Sequence, residues 1–245
     1  MIIILEILTI ISYLFSDVLG FCVSTIMFIK IWFNKKYSIL NKIIISLILS
    51  VPIFQISFLG ESMHHLFSWF MIFLVILVIY LFNNFIKEKI SFSKLPLLLV
   101  CIALGIIIIN NLLSEYYKEN LVELIQIMIM IIPILMVYQQ RKYLTKMIDN
   151  DTKQLWIKFI NISIVATAIA TLIQYFLYNY LGIMLGSVRI NNARSIFDLL
   201  FKGSSVLSIY LGIGIVLNMS EFLDKHKIKN ILIILISMLG IMVNS

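Results

Sequence analysis

The residues best suited to chemistry are three cations and two hydroxyls: Arg189, Arg194, Lys202, Ser204 and Ser205. All lie in the stretch 182–205, and two of the three arginines in the chain are among them. A guanidinium can grip phosphate through two parallel N–H···O bonds, which the ammonium of lysine cannot do. Lys202-Gly203-Ser204-Ser205 reads as the start of a helix. Free backbone N–H groups and the positive end of the helix dipole favour an anion at such a start, and a glycine lets the backbone come close. The pattern points to an anionic, phosphorylated group as the ligand. Pairing with Asp198, or with anionic lipid headgroups, is the competing use of the same residues.

Other polar residues carry less. His64-His65 with Glu61 offers too few ligands for a metal and reads as an interfacial turn. Glu115, Glu119 and Glu123 fit a solvated face or a sugar-positioning role. Asp17 falls inside the first apolar run, where an ionisable group costs about 2.5–3.5 kcal/mol or more. Either it faces a crevice or the first helix is irregular. Ser163, Thr167, Thr171, Gln174 and Tyr178 recur at helical spacing, as do Ser204, Ser208 and Gly212. Close helix packing is the favoured reading of both stripes, and a substrate groove the lesser one. No phosphate-cradling G-x-x-x-x-G-K-[ST], H-E-x-x-H or G-x-S-x-G occurs, and nothing implies a cofactor or a metal.

These residues must be held by membrane helices. The chain is 62% hydrophobic and 13% charged, with mean hydropathy +1.07, against about 45–50% and about 25% in soluble domains. The fold expected is an all-α polytopic membrane protein, one transmembrane helical domain over residues 1–245. Apolar runs predict spans at Ile7–Ile29, Ile43–Leu59, Leu66–Ile86, Leu95–Leu113, Leu121–Tyr138, Phe159–Leu181 and Val206–Phe222, with an eighth starting near Ile228. That eighth run stops so soon that the chain reads as truncated from a larger bundle. Cys22 and Cys101 lie within spans and read as small core residues.

The net charge of +7 is scattered through turns between apolar runs, which argues for helix orientation and against nucleic-acid binding. Fifteen of the nineteen Lys and Arg fall in alternate turns, beginning with the one after the first span. The positive-inside rule makes those turns cytoplasmic and puts the N-terminus outside. The loop at 182–205 is then external and unusually basic. The internal turn 139–158 can form an amphipathic interfacial helix or meet a partner ATPase.

The segment R-I-N-N-A-R-S-I-F-D-L-L-F-K-G-S-S-V-L-S, between a sixth span and a lysine turn, resembles the O-antigen ligase and polysaccharide polymerase family. Arg194-Ser195-Ile196-Phe197 matches that family's arginine, small residue and phenylalanine at the outer mouth of a helix. Asn244-Ser245 stands where a Ser-Arg-rich motif would begin. Asp198-Leu199 departs from the Asn-Pro or Glu-Pro that often follows the phenylalanine. The resemblance covers about a quarter of the chain, and implies joining of sugar units carried on undecaprenyl pyrophosphate outside a bacterial cytoplasmic membrane. It implies Arg194 as the catalytic residue and Arg189, Lys202, Ser204 and Ser205 as binding residues. The expected partners are lipid-linked oligosaccharide, the bilayer and other polysaccharide export proteins. A transport permease and a sensory membrane domain are the competing readings.

Overall fold

The computed structural model describes residues 1–54, 68–87, 102, 105–109, 131–184, 188–191, 194–197 and 204–244. They form an apolar helical bundle with one short β-ribbon. The helices are α1 (Ile2–Phe15), α2 (Asp17–Trp32), α3 (Ile39–Ser50), α4 (Trp69–Lys87), α5 (Arg141–Met147), α6 (Asn150–Leu181), α7 (Ser204–Lys225) and α8 (Ile228–Asn244). Strands β1 (Val188–Asn191) and β2 (Arg194–Phe197) join α6 to α7.

Three of these helices are long and apolar enough to cross a membrane: α4, α6 and the Ser205–Asp224 portion of α7. The apolar helices α1, α3 and α8 are shorter. Eight full spans are therefore not found among the described residues. Of the expected spans, Leu95–Leu113 is described only at 102 and 105–109, and Leu121–Tyr138 only from residue 131. Pro52 sits in the 3-10 turn Val51–Ile53 that closes α3, and residues 55–59 of the expected Ile43–Leu59 span lie outside the described residues.

The largest departure is at the start of the chain. Ile7–Ile29 is not one helix, because Ser16 is extended (φ −164, ψ 133) and divides α1 from α2. The two halves fold back on each other, and Lys30 Nζ at the end of α2 lies 2.8 Å from Met1 Sδ. At about 1.5 Å per residue, 14 and 16 residues reach roughly 21 and 24 Å, short of about 30 Å of hydrocarbon. Of the two alternatives for Asp17, the irregular first helix is the one found, with two consequences. Asp17 is not at mid-span but exposed in the first turn of α2, where the helix dipole favours a carboxylate. Met1 lies at the same end as Lys30, whereas a single span would have put it at the opposite end.

The hairpin closes because Gly20 has no side chain. A Cβ there would run into the Tyr13 ring. Tyr13 Oη instead reaches Ser24 Oγ at 3.2 Å, and Trp69 Nε1 of α4 donates to the same oxygen at 2.8 Å. Trp69 also stacks on Phe21 and Phe73, so α4 is held against the hairpin by aromatic faces.

Helix α6 is the axis, packed by α1, α3, α7 and α8. Asp149 caps its start, with Thr152 N–H donating to the carboxylate at 2.8 Å. The stretch 139–158 is thus not one amphipathic helix: α5 ends at Met147, and α6 begins afresh behind the cap. At the far end Gly182 adopts φ 66, and the Gly182 and Ile183 N–H groups bond back to Tyr178 and Leu177, a glycine C-cap that stops the helix. Close approach to α7 is at Gly214, where a Cβ would lie 2.6 Å from Ile164. Gly240 of α8 likewise leaves room for Leu211 of α7. Nothing lies within 4 Å of a Cβ at Gly212.

Two outcomes follow from this packing. Gly214→Ala should lower the melting midpoint in detergent through overpacking worth about 1–3 kcal/mol. Gly212→Ala should leave it unchanged or raise it by up to about 1 kcal/mol, alanine being the better helix former. The backbone bond from Thr152 holds the Asp149 carboxyl below the usual Asp value. Its cap therefore acts in full above the ordinary value of about 3.9 and is lost as pH falls through the lowered one. Amide exchange at Thr152 should accelerate only in that acid range, and Asp149→Asn should remove the pH dependence while keeping the cap.

Candidate functional site

The bundle has two chemically different ends. The lysine-bearing turns gather at one of them. Trp156 Nε1 of α6 donates to Asn41 Oδ1 at the start of α3 at 2.9 Å. Gln140 Nε2, just before α5, donates to Leu81 O in the last third of α4 at 2.7 Å. Lys158 of α6 and Lys229 of α8 line one crevice with Glu221 of α7. The alternate turns that the sequence grouped by charge are thus brought together physically.

The arginine ribbon belongs to the other end, because it leaves the C-terminus of α6 and enters the N-terminus of α7. Strands β1 and β2 pair antiparallel, with Arg189 opposite Ile196 and Asn191 opposite Arg194. Paired positions share a face and alternate along a strand, so positions 189, 191, 194 and 196 form one face of the ribbon. The two arginine positions are therefore only one pair of rows apart. Strand β2 packs on α6 and α8, which fixes the ribbon to the end of the bundle. Ser204 and Ser205 open α7, as the sequence indicated, and Ser205 is exposed. Lys202, Asp198, Glu61, His64, His65, Glu115, Glu119, Glu123 and Cys101 lie outside the described residues. Cys22 is exposed on α2 and is not a core residue.

Below the ribbon, the polar stripe of α6 turns inward. Ser163, Thr167, Thr171 and Gln174 are fully buried. Thr167 and Thr171 return their hydroxyls to the carbonyls four residues earlier, at 2.8 and 2.9 Å. Ala166, Ala168 and Ala170 are buried beside them. This is the packing use of the stripe. The stripe expected on α7 was placed one residue off: the buried positions are Leu207, Leu211, Gly214 and Asn218.

Glu6 is the residue that sequence reasoning passed over. It is 1% exposed, although it lies before the apolar run from which the first span was drawn. Ser163 Oγ lies 3.3 Å from Glu6 Oε1 and 3.4 Å from Ile48 O, and Tyr210 Oη donates to Ser163 Oγ at 2.8 Å. One hydroxyl thus ties α1, α3, α6 and α7 together. Among the described residues Glu6 Oε2 has no hydrogen-bond partner. The available signal was the helical spacing of Glu6 with Ile10, Tyr13 and Leu14, which share its buried face. Asn218 Nδ2 of α7 donates to Asn161 Oδ1 at 2.7 Å and to Gly214 O at 2.9 Å.

Among the described residues no cluster of His, Cys, Asp and Glu could hold a metal ion. Among the described residues, a groove of about 580 Å³ between the Val51–Ile53 turn, α4 and residues 133–137 is lined by apolar side chains. Taken together, the apolar helices and the basic ribbon define a helical protein of membrane character. No protein-family model matches the chain, and neither the curated proteins nor the solved structures include a significant match.

A buried carboxyl with one oxygen unpartnered among the described residues is expensive, which sets Glu6 apart from the back-bonded threonines. Glu6→Leu should hold or raise the melting midpoint, since an apolar residue of similar volume is no worse than an imperfectly satisfied buried carboxyl. A fall of more than about 2 kcal/mol would instead make Glu6 a structural support, since loss of a bonded partner costs about 1–3 kcal/mol.

Proposed function

We propose that the chain acts in a membrane polymerase or ligase of lipid-linked surface polysaccharide, at the outer face of a bacterial cytoplasmic membrane. The observation that carries this reading is the placement of Arg189 and Arg194 on one short ribbon, at the end of the bundle remote from the gathered lysines. Lysine-rich turns orient towards the cytoplasm, so the ribbon faces outward on this reading. There it meets glycans carried on lipid pyrophosphate.

The reaction is attack by an acceptor sugar hydroxyl on the anomeric carbon of the lipid-linked donor, with the hydroxyl proton passing to solvent. The bond from that carbon to the pyrophosphate oxygen breaks, and the lipid pyrophosphate leaves with the bonding electron pair. Fixed cations stabilise the charge that develops on the leaving oxygens, often the largest single contribution to catalysis. Arg194 is assigned that catalytic role, with Arg189 and Lys202 binding the pyrophosphate. Ser204 and Ser205, at the positive end of the α7 dipole, supply further donors.

A second reading, a permease for polysaccharide or lipid, is favoured by one observation, the buried carboxyl of Glu6 on the α1–α6–α7 junction. Such groups mark ion and substrate pathways in transporters. The test is made on the gene in its host. Arg194→Ala should reduce polymer output by roughly 10²–10³, as removal of one charge-stabilising donor does. Surface glycan should then run as single units on a gel while protein abundance in the membrane is unchanged. Unchanged chain length would remove the ribbon from the reaction. Loss of all export on replacing Glu6, Lys142 or Lys146, with Arg194→Ala silent, would transfer the assignment to the permease.

A further inference from the structure

At the lysine end a crevice of about 320 Å³ opens between α1, α6, α7 and α8. Its volume is near the lower bound of small-molecule pockets, about 300 Å³, which suits a headgroup and not a whole lipid. Its walls change character with depth. Ile3, Ile162, Val165 and Ile233 are apolar, while Lys158, Lys229 and Glu221 supply charge. Lys158 is not a turn residue: it is the ninth residue of α6, more than two turns beyond the Asp149 cap. Helix orientation alone does not require a lysine there.

Asn161 lines the same crevice, one turn deeper, and is nine-tenths buried. Its carbonyl oxygen is engaged by Asn218 at 2.7 Å, and among the described residues no hydrogen bond engages its amide NH2. That NH2 is not fully enclosed, so it stands at the crevice wall as a donor open to an anion. The crevice therefore offers two ammonium groups and an amide N–H pair against one carboxylate, a formal lining charge of +1. A phosphodiester carries −1. Basic pockets between membrane helices are established binding places for phosphate headgroups, and the apolar wall gives an acyl chain a continuous path outward.

We propose that this crevice is a binding site for one anionic phospholipid headgroup of the phosphatidylglycerol type. The phosphodiester lies between Lys158 and Lys229, the Asn161 amide donates to it, and the chain leaves along Ile162 and Ile233. The site is separate from the arginine ribbon and stands whatever reaction the ribbon serves.

The test is native mass spectrometry of the delipidated full chain in detergent, titrated with dioleoylphosphatidylglycerol. The intact protein should retain one lipid in preference to the rest. Lys158→Gln with Lys229→Gln should weaken that retention by roughly tenfold or more, equivalent to about 1.4 kcal/mol. Both lysines are exposed, so the pair leaves the core untouched. Asn161→Leu, which alters no charge, should also weaken retention. Lys35→Gln with Lys36→Gln, in the α2–α3 turn, should not. The proposal is overturned if that control pair weakens retention equally, which would show diffuse surface charge. It is also overturned if dioleoylglycerol, which lacks the phosphate, or dioleoylphosphatidylcholine, which lacks the net charge, is retained as well. Full displacement of the lipid by millimolar inorganic phosphate would replace it with a site for free phosphate.

Discussion

Helix α6 cannot stand alone in hydrocarbon, and the remaining helices are arranged by that constraint. Its inward face carries Asn161, Ser163, Thr167, Thr171 and Gln174, all buried. A polar group taken from water without a partner costs several kcal/mol in an apolar medium. The threonines answer this within the helix by bonding their own carbonyls. Ser163 and Asn161 answer it between helices, through Glu6, Tyr210 and Asn218. Small residues at Ala166, Ala168, Ala170, Gly214 and Gly240 let the neighbours come near enough for those bonds to form. Polar satisfaction and close packing are here one requirement.

The same axis separates two ends with different cations. At the α6 N-terminus the cations are lysines, compact and strongly hydrated, set around an apolar crevice. At its C-terminus, past the Gly182 cap, the cations are arginines on a ribbon, whose planar forks suit a pyrophosphate held in one orientation. The part of α6 from Lys158 to Leu181, roughly 35 Å of helix, lies between them. The residues of the crevice and of the ribbon are distinct, so each end can be altered without the other.

Much of the scaffold was legible in composition. Helices α4, α7 and α8 appear within a few residues of the apolar runs that announced them, because runs of Ile, Leu and Phe have no other stable form in lipid. Helix α6 ends with its run but starts nine residues before it, behind the Asp149 cap. The grouping of lysine turns was equally plain, since charge at a helix end is a local property. Asp17 signalled an irregular first helix as one of two readings, but not the hairpin α1–α2. Hydropathy averages over Ser16 and Asp17, and only the fit of Tyr13 over Gly20 makes the fold-back favourable. On α7 the stripe of Ser204, Ser208 and Gly212 looked like the packing face, yet the buried one runs through Leu207, Leu211, Gly214 and Asn218. Both glycines permit close approach, and the choice belongs to the helix that lies opposite, with Ile164 seated against Gly214.

The sequence by itself determined membrane character, the sorting of lysines among turns and the arginine-bearing segment between α6 and α7. Each depends on residue type within one short window. Tertiary structure alone decided that Glu6 is buried against Ser163, that Met1 returns to the Lys30 end, and that Lys158, Asn161 and Lys229 share one crevice. Those facts join residues up to 157 positions apart. Periodicity can name the face of a helix, but only packing names the helix that face meets.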